Sequence, residues 1–224
     1  AFNAVTGSAA TTHAELPPTF IERFKKNRYH VGPAGDFLAL AKWALSGEEL
    51  HELTIEGFQA VLAGEESSLK TRSVDFFKTR GRFIRQAKEA WVKLQRPVSP
   101  LWESLQKLPP EKIIILTNKN LEAVLELCQH FSLPVTKENV YSGDGDTTKS
   151  ANFLSIHGRF PESNFTFIED SVRNLIEIQN ELPEGVALKP LLAAWGYLGP
   201  ADIKLAEEHG ISIVTQETVI ALLK

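Results

Sequence analysis

Hydrophobic positions along the chain recur with two different periods, and the change falls near Pro97. Before it, apolar residues return at three- and four-residue steps, the signature of amphipathic helices. The spacing predicts a helix starting at Phe20 with Thr19 as its N-cap, and another over Phe37–Leu45 after the Gly32-Pro33-Ala34-Gly35 turn, with Asp36 at its start. Further helices are predicted over Leu53–Leu62 and Val74–Leu94. No alternating strand pattern occurs in this zone. After Pro97, short apolar runs alternate with helical stretches. Strands are predicted at Ile113–Leu116, Val140-Tyr141, Phe165–Ile168, Val186–Ala194 (interrupted by Pro190) and Ile211–Val214. Helices fall between and around them at Leu101–Leu108, Asn120–Phe131, Lys149–His157, Val172–Asn180, Ala201–His209 and Glu217–Leu223. Continuous apolar strands alternating with helices predict an α/β fold, a parallel sheet covered on both faces.

Two zones of different class predict a core with an inserted part: residues 1–18 and 97–224 as a Rossmann-like α/β core, and residues 19–96 as an α-helical cap. In such a core, ligands bind outside the carboxyl ends of the strands. Three places there carry polar chemistry. Ile113-Ile114-Ile115-Leu116 ends in Thr117-Asn118; Lys149 opens a helix; Phe165-Thr166-Phe167-Ile168 ends in Glu169-Asp170. A hydroxyl, an ammonium and two carboxylates suit an anion held beside a cation.

At 224 residues the chain has room for one large domain or a core plus an insert. No apolar run is long enough to span a membrane and no signal pattern opens the chain, so a cytoplasmic protein without a membrane partner is expected. The single cysteine, Cys128, lies in an apolar-periodic helix and is expected to pack rather than react. Residues 20–96 carry a net charge of +4 and the rest −8, giving the overall −4. A basic segment beside an acidic one suits a small anionic ligand, although ordinary solvated helix surface explains it better. Nucleic acid is not favoured, because no basic stripe with interleaved aromatics occurs and the pI is 5.9. Nucleotide-binding glycine loops and a Gly-x-Ser-x-Gly elbow are missing, which argues against dinucleotide-binding, P-loop and α/β-hydrolase readings. Ser142-Gly143-Asp144-Gly145-Asp146-Thr147 lacks the calcium-loop pattern and reads as a turn capping the Lys149 helix.

The order and spacing of Thr117, Lys149 (32 residues on) and Glu169-Asp170 (20 and 21 further) resemble the haloacid dehalogenase superfamily, the aspartate-nucleophile phosphotransferases. Trp195-Gly196-Tyr197 and Arg28-Tyr29-His30-Val31-Gly32-Pro33-Ala34-Gly35 look like a subgroup of plants and cyanobacteria. The resemblance implies that Thr117 donates its hydroxyl to a phosphoryl oxygen, Lys149 sets a charge beside it, and Glu169 and Asp170 hold Mg²⁺. Asn118, Arg28 and His30 would contact a small phosphorylated ligand; for the last two, a plain helix connection competes. Catalysis would pass through an aspartyl phosphate.

The family's opening motif, Asp-x-Asp-Gly-Thr/Val after a strand, is matched here only by Ala1-Phe2-Asn3-Ala4-Val5-Thr6-Gly7. Asn3 then stands at the nucleophile and Val5 at the acid/base. An amide forms no acyl phosphate and a valine carries no proton. Asn174 also stands where many relatives have a second aspartate. Three functions follow: a phosphatase relative with weak or lost catalysis, a non-catalytic phosphate-binding or regulatory protein, or an active phosphatase whose nucleophile lies elsewhere.

Overall fold

The computed structural model describes residues 1–47, 49–145 and 147–224. The chain divides into two compact units, Ala1–Arg96 and Pro97–Lys224. Among the described residues no helix is long and apolar enough to cross a membrane.

The first unit is helical: α1 (Phe2–Thr6), α2 (Pro18–Lys26), α3 (Asp36–Leu45), α4 (Ile55–Ala63) and α5 (Leu69–Lys93). Helix α2 begins two residues earlier than expected, with Pro18 at its first position and Pro17, not Thr19, as N-cap. Proline suits that place because the first amide has no helical partner. Thr54 and Ser68 cap α4 and α5, accepting from the amides of Gly57 and Thr71.

One expectation is overturned here. Residues 1–18 contribute no strand; Phe2–Thr6 is a helix and belongs to the helical unit. The reason lies in its spacing. Phe2 and Val5 are one helical turn apart and pack on Phe20, Ala41 and Ala44, while Ala4 and Val5 reach Ala34, Leu38 and Phe76. Gly7 ends the helix at φ 71°, a left-handed conformation glycine adopts without strain.

The second unit is mixed α/β, in chain order α6 (Leu101–Leu105), β1 (Ile115–Leu116), α7 (Leu121–His130), β2 (Val140–Tyr141), α8 (Lys149–Arg159), β3 (Phe165–Glu169), α9 (Val172–Glu181), β4 (Leu188–Ala193), α10 (Asp202–Glu208), β5 (Ser212–Val214) and α11 (Gln216–Leu222). All strand pairs are parallel, in two separate sheets: β1 with β2, and β3-β4-β5. Ile113 and Ile114 belong to the apolar run but not to the strand, because Ile113 donates to Pro110 in the preceding turn. Pro190 sits inside β4 opposite Phe167, yet costs no ladder bond. The Phe165 amide donates to Ala187, so by strand alternation the Pro190 nitrogen faces the β5 side, where pairing starts only at Leu191.

Candidate functional site

Every polar candidate of the second unit lies at the carboxyl end of a parallel strand or the start of the helix that follows one. Thr117 follows β1 and extends its ladder, its amide donating to Tyr141 at 2.9 Å. Its hydroxyl oxygen accepts from the Lys119 amide at 3.1 Å. Asn118 is clamped by the loop after β2: the Gly143 amide donates to the Lys119 carbonyl at 3.2 Å, and a Cβ on Gly143 would come within 2.7 Å of the Asn118 carbonyl oxygen. Only glycine allows that approach. Asp144 accepts from the Leu121 amide at 2.5 Å and from the Ser142 hydroxyl at 3.2 Å, tying the β1 and β2 loops together. Asp146, from the same loop, lies outside the described residues.

Lys149 is the first residue of α8, which Thr148 caps by accepting from Ala151 at 3.1 Å. Its side chain is 8% exposed, and its ammonium lies 2.6 Å from Glu169 Oε1. The Asn174 side-chain amide donates to the same oxygen, also at 2.6 Å. The ammonium also stands 5.9 Å from the Phe167 ring centre. A lysine buried this far needs a counter-charge, and Glu169, fixed by Asn174, supplies it.

Asp170 turns elsewhere. Its Oδ2 accepts from the Tyr197 amide at 3.1 Å. A Cβ on Gly196 would fall 2.0 Å from Asp170 Cβ, so the turn after β4 packs directly on this aspartate. Trp195 of the same turn packs in the core with Leu191, Val214 and Val219, and Tyr197 is exposed.

Glu169 and Asp170 were expected to hold Mg²⁺ together. Glu169 reaches α8 and α9, while Asp170 is held by the turn after β4. Among the described residues no three His, Cys, Asp or Glu side chains converge. The two neighbouring carboxylates are thus drawn to different partners.

The remaining candidates belong to the first unit. Asn3 clamps the loop after α1, donating to the Ala10 carbonyl at 2.8 Å and accepting from the Ser8 hydroxyl at 2.9 Å. Val5 is packing. Neither ends a strand, so neither occupies the nucleophile or acid/base position expected of it. The Arg28 guanidinium stacks 4.3 Å from the Phe37 ring centre. His30 is buried, with Nε2 2.9 Å from the Leu53 carbonyl and its ring stacked on Phe58. Both make the contacts of a packed helix connection.

The sequence pointed to Asn174 and Gly196 but not to their roles: Asn174 holds Glu169, and Gly196 seats Asp170. Asn174 sits one turn into α9, on the side facing the end of β3, a spacing that could have signalled its role. Compared with known protein families, curated proteins and solved structures, the chain matches none.

Proposed function

We propose that Pro97–Lys224 is a Rossmann-like core that binds the phosphate of a small phosphorylated ligand, in a protein related to the haloacid dehalogenase phosphatases, with Ala1–Arg96 including its helical cap. The observation that carries this reading is Lys149. It is a nearly buried ammonium at a helix start, poised by Glu169 and Asn174 at the carboxyl ends of parallel strands. Such a held point charge recognises an anion without first having to be ordered. The start of α8 adds the partial positive charge of its unpaired amides. Thr117 and Asn118 follow the neighbouring strand, and the Thr117 hydroxyl, whose oxygen accepts from Lys119, keeps its own proton to donate to a phosphoryl oxygen.

Binding without turnover is the form of this function that residues 1–224 support. Asn3 and Val5 are helical and engaged elsewhere. The same placement favours a second reading, in which an active phosphatase draws its carboxylate nucleophile from a position other than Asn3.

The test is phosphate release from a panel of small phosphomonoesters, with Mg²⁺ and with chelator, alongside binding of inorganic phosphate. Binding that Lys149→Met weakens about tenfold or more, about 1.4 kcal/mol, without release in either condition, supports the first reading. Mg²⁺-dependent release above that of Lys149→Met replaces it with the second. Neither binding nor release overturns both.

A further inference from the structure

The second unit holds two parallel half-sheets that are not joined to each other, yet they share helices on both faces. On one face, Phe153 and Ile156 of α8 pack in one cluster with Ile114, just before β1, with Leu116 of β1, and with Phe165 and Phe167 of β3. On the other face, Leu105 of α6 packs both with the cluster that includes Ile115 and with the cluster that includes Ile168. The half-sheets therefore lie in one layer between common helices. The free edge of β1, away from β2, and the free edge of β3, away from β4, bound a gap in that layer.

Alternation along the strands identifies the groups on those edges. The Thr117 amide points to β2 and the Phe165 amide to β4. The amide and carbonyl of Leu116 therefore face the gap from one side, and those of Thr166 and Ile168 from the other. No described strand pairs with them. Burial tells the same story independently. No residue of β1 or β3 is buried despite helices above and below, whereas Leu191, Leu192 and Ala193 of β4, paired on both edges, are 1%, 0% and 4% exposed.

We propose that this gap is a strand-accepting slot, filled by one extended polypeptide segment from outside residues 1–224, parallel to β1 and β3. Two rows of unpaired backbone groups ask for a backbone with donors and acceptors on both edges, which only an extended polypeptide offers. Apolar helices on both faces ask for apolar side chains at successive positions, about five of them to match β3. A second copy of this chain does not fit, since it would have to surrender a strand already paired in its own sheets. The inference stands apart from the phosphate reading: it concerns backbone pairing, and phosphate binding at Lys149 neither requires nor excludes it.

The experiment is residue-resolved amide hydrogen exchange on the whole chain, alone and with the peptide acetyl-Lys-Val-Ile-Val-Leu-Val-Lys-amide. The control peptide has proline in place of its central valine. In the protein alone, the amides of Leu116, Thr166 and Ile168 should exchange at least tenfold faster than those of Leu192 and Ala193. Saturating peptide should slow those three at least tenfold, and the proline peptide should not. Protection of the three amides in the monomeric protein alone would overturn the slot. Protection arising only in a dimer, or no response to the peptide, would overturn the proposed occupant.

Discussion

Lys149 and Glu169 form the charged pair on which the site depends, with side chains only 8% and 13% exposed. Removing one partner leaves the other charge poorly solvated. Lys149→Met should destabilise the chain by about 1.5–3 kcal/mol, the range for a hydrogen bond to a charged group. Lys149→Met combined with Glu169→Leu should recover part of that loss, as read from urea unfolding midpoints; full additivity of the two single losses would contradict the coupling. In the first unit, burial raises the Asp36 carboxyl above its ordinary 3.8, against the lowering effect of the Gly32 amide and of Arg72. Its folded form favours the proton, so its contribution to stability is fullest below 3.8 and is lost as pH climbs through the raised folded value. Asp36→Asn should flatten thermal stability across that window; an unchanged pH profile would argue against the shift. At Cys128, burial pushes the thiol up, and its place among Ile113, Val124 and Leu133 matches the packing role expected from the sequence. Alkylation by iodoacetamide should be negligible in the folded protein and complete in denaturant.

At the scale of elements, the most instructive difference is α1. The sequence Ala1–Gly7 aligns with a strand-and-loop motif on Phe2 and a few small residues, but Phe2 and Val5 also satisfy a helical turn, and tertiary packing favours that alternative. An Asn3→Asp/Val5→Asp variant should therefore gain no phosphatase activity. Its Val5→Asp component should cost about 1–3 kcal/mol by setting a carboxylate among apolar neighbours. Turnover in that variant would restore the motif alignment. The strands were legible to within a residue or two, because continuous apolar runs between helical patterns have few other uses. The paired length of β1 was not, because the Pro110 turn that claims Ile113 is set by backbone hydrogen bonding. Nor does composition reveal that Gly196 seats Asp170. Gly196→Ala must move one of them and should lower stability, measurably so by thermal unfolding; an unchanged melting temperature would show that the turn yields freely.

At the scale of the whole molecule, the division into a helical and a mixed α/β part was readable from the change of hydrophobic period at Pro97, and the boundary falls between Arg96 and Pro97. Assigning residues 1–18 to the α/β part failed because that assignment came from a motif, whereas five residues with two apolar positions one turn apart fold where their apolar face is covered. The candidate site was half legible. Residue types at strand ends pointed to Thr117, Lys149 and Glu169. That Glu169 and Asp170 part company follows from which neighbours, Asn174 and Tyr197, reach each of them in the folded chain. The claim at the centre is that phosphate binds at Lys149 and the strand ends beside it. Amide chemical shifts should be followed while inorganic phosphate is titrated into the intact protein and into Lys149→Met. Saturable shifts clustered at Thr117–Lys119 and Lys149–Ala151, and lost in the variant, are the predicted result. Shifts that are absent, scattered over both units, or unchanged by the substitution would contradict it.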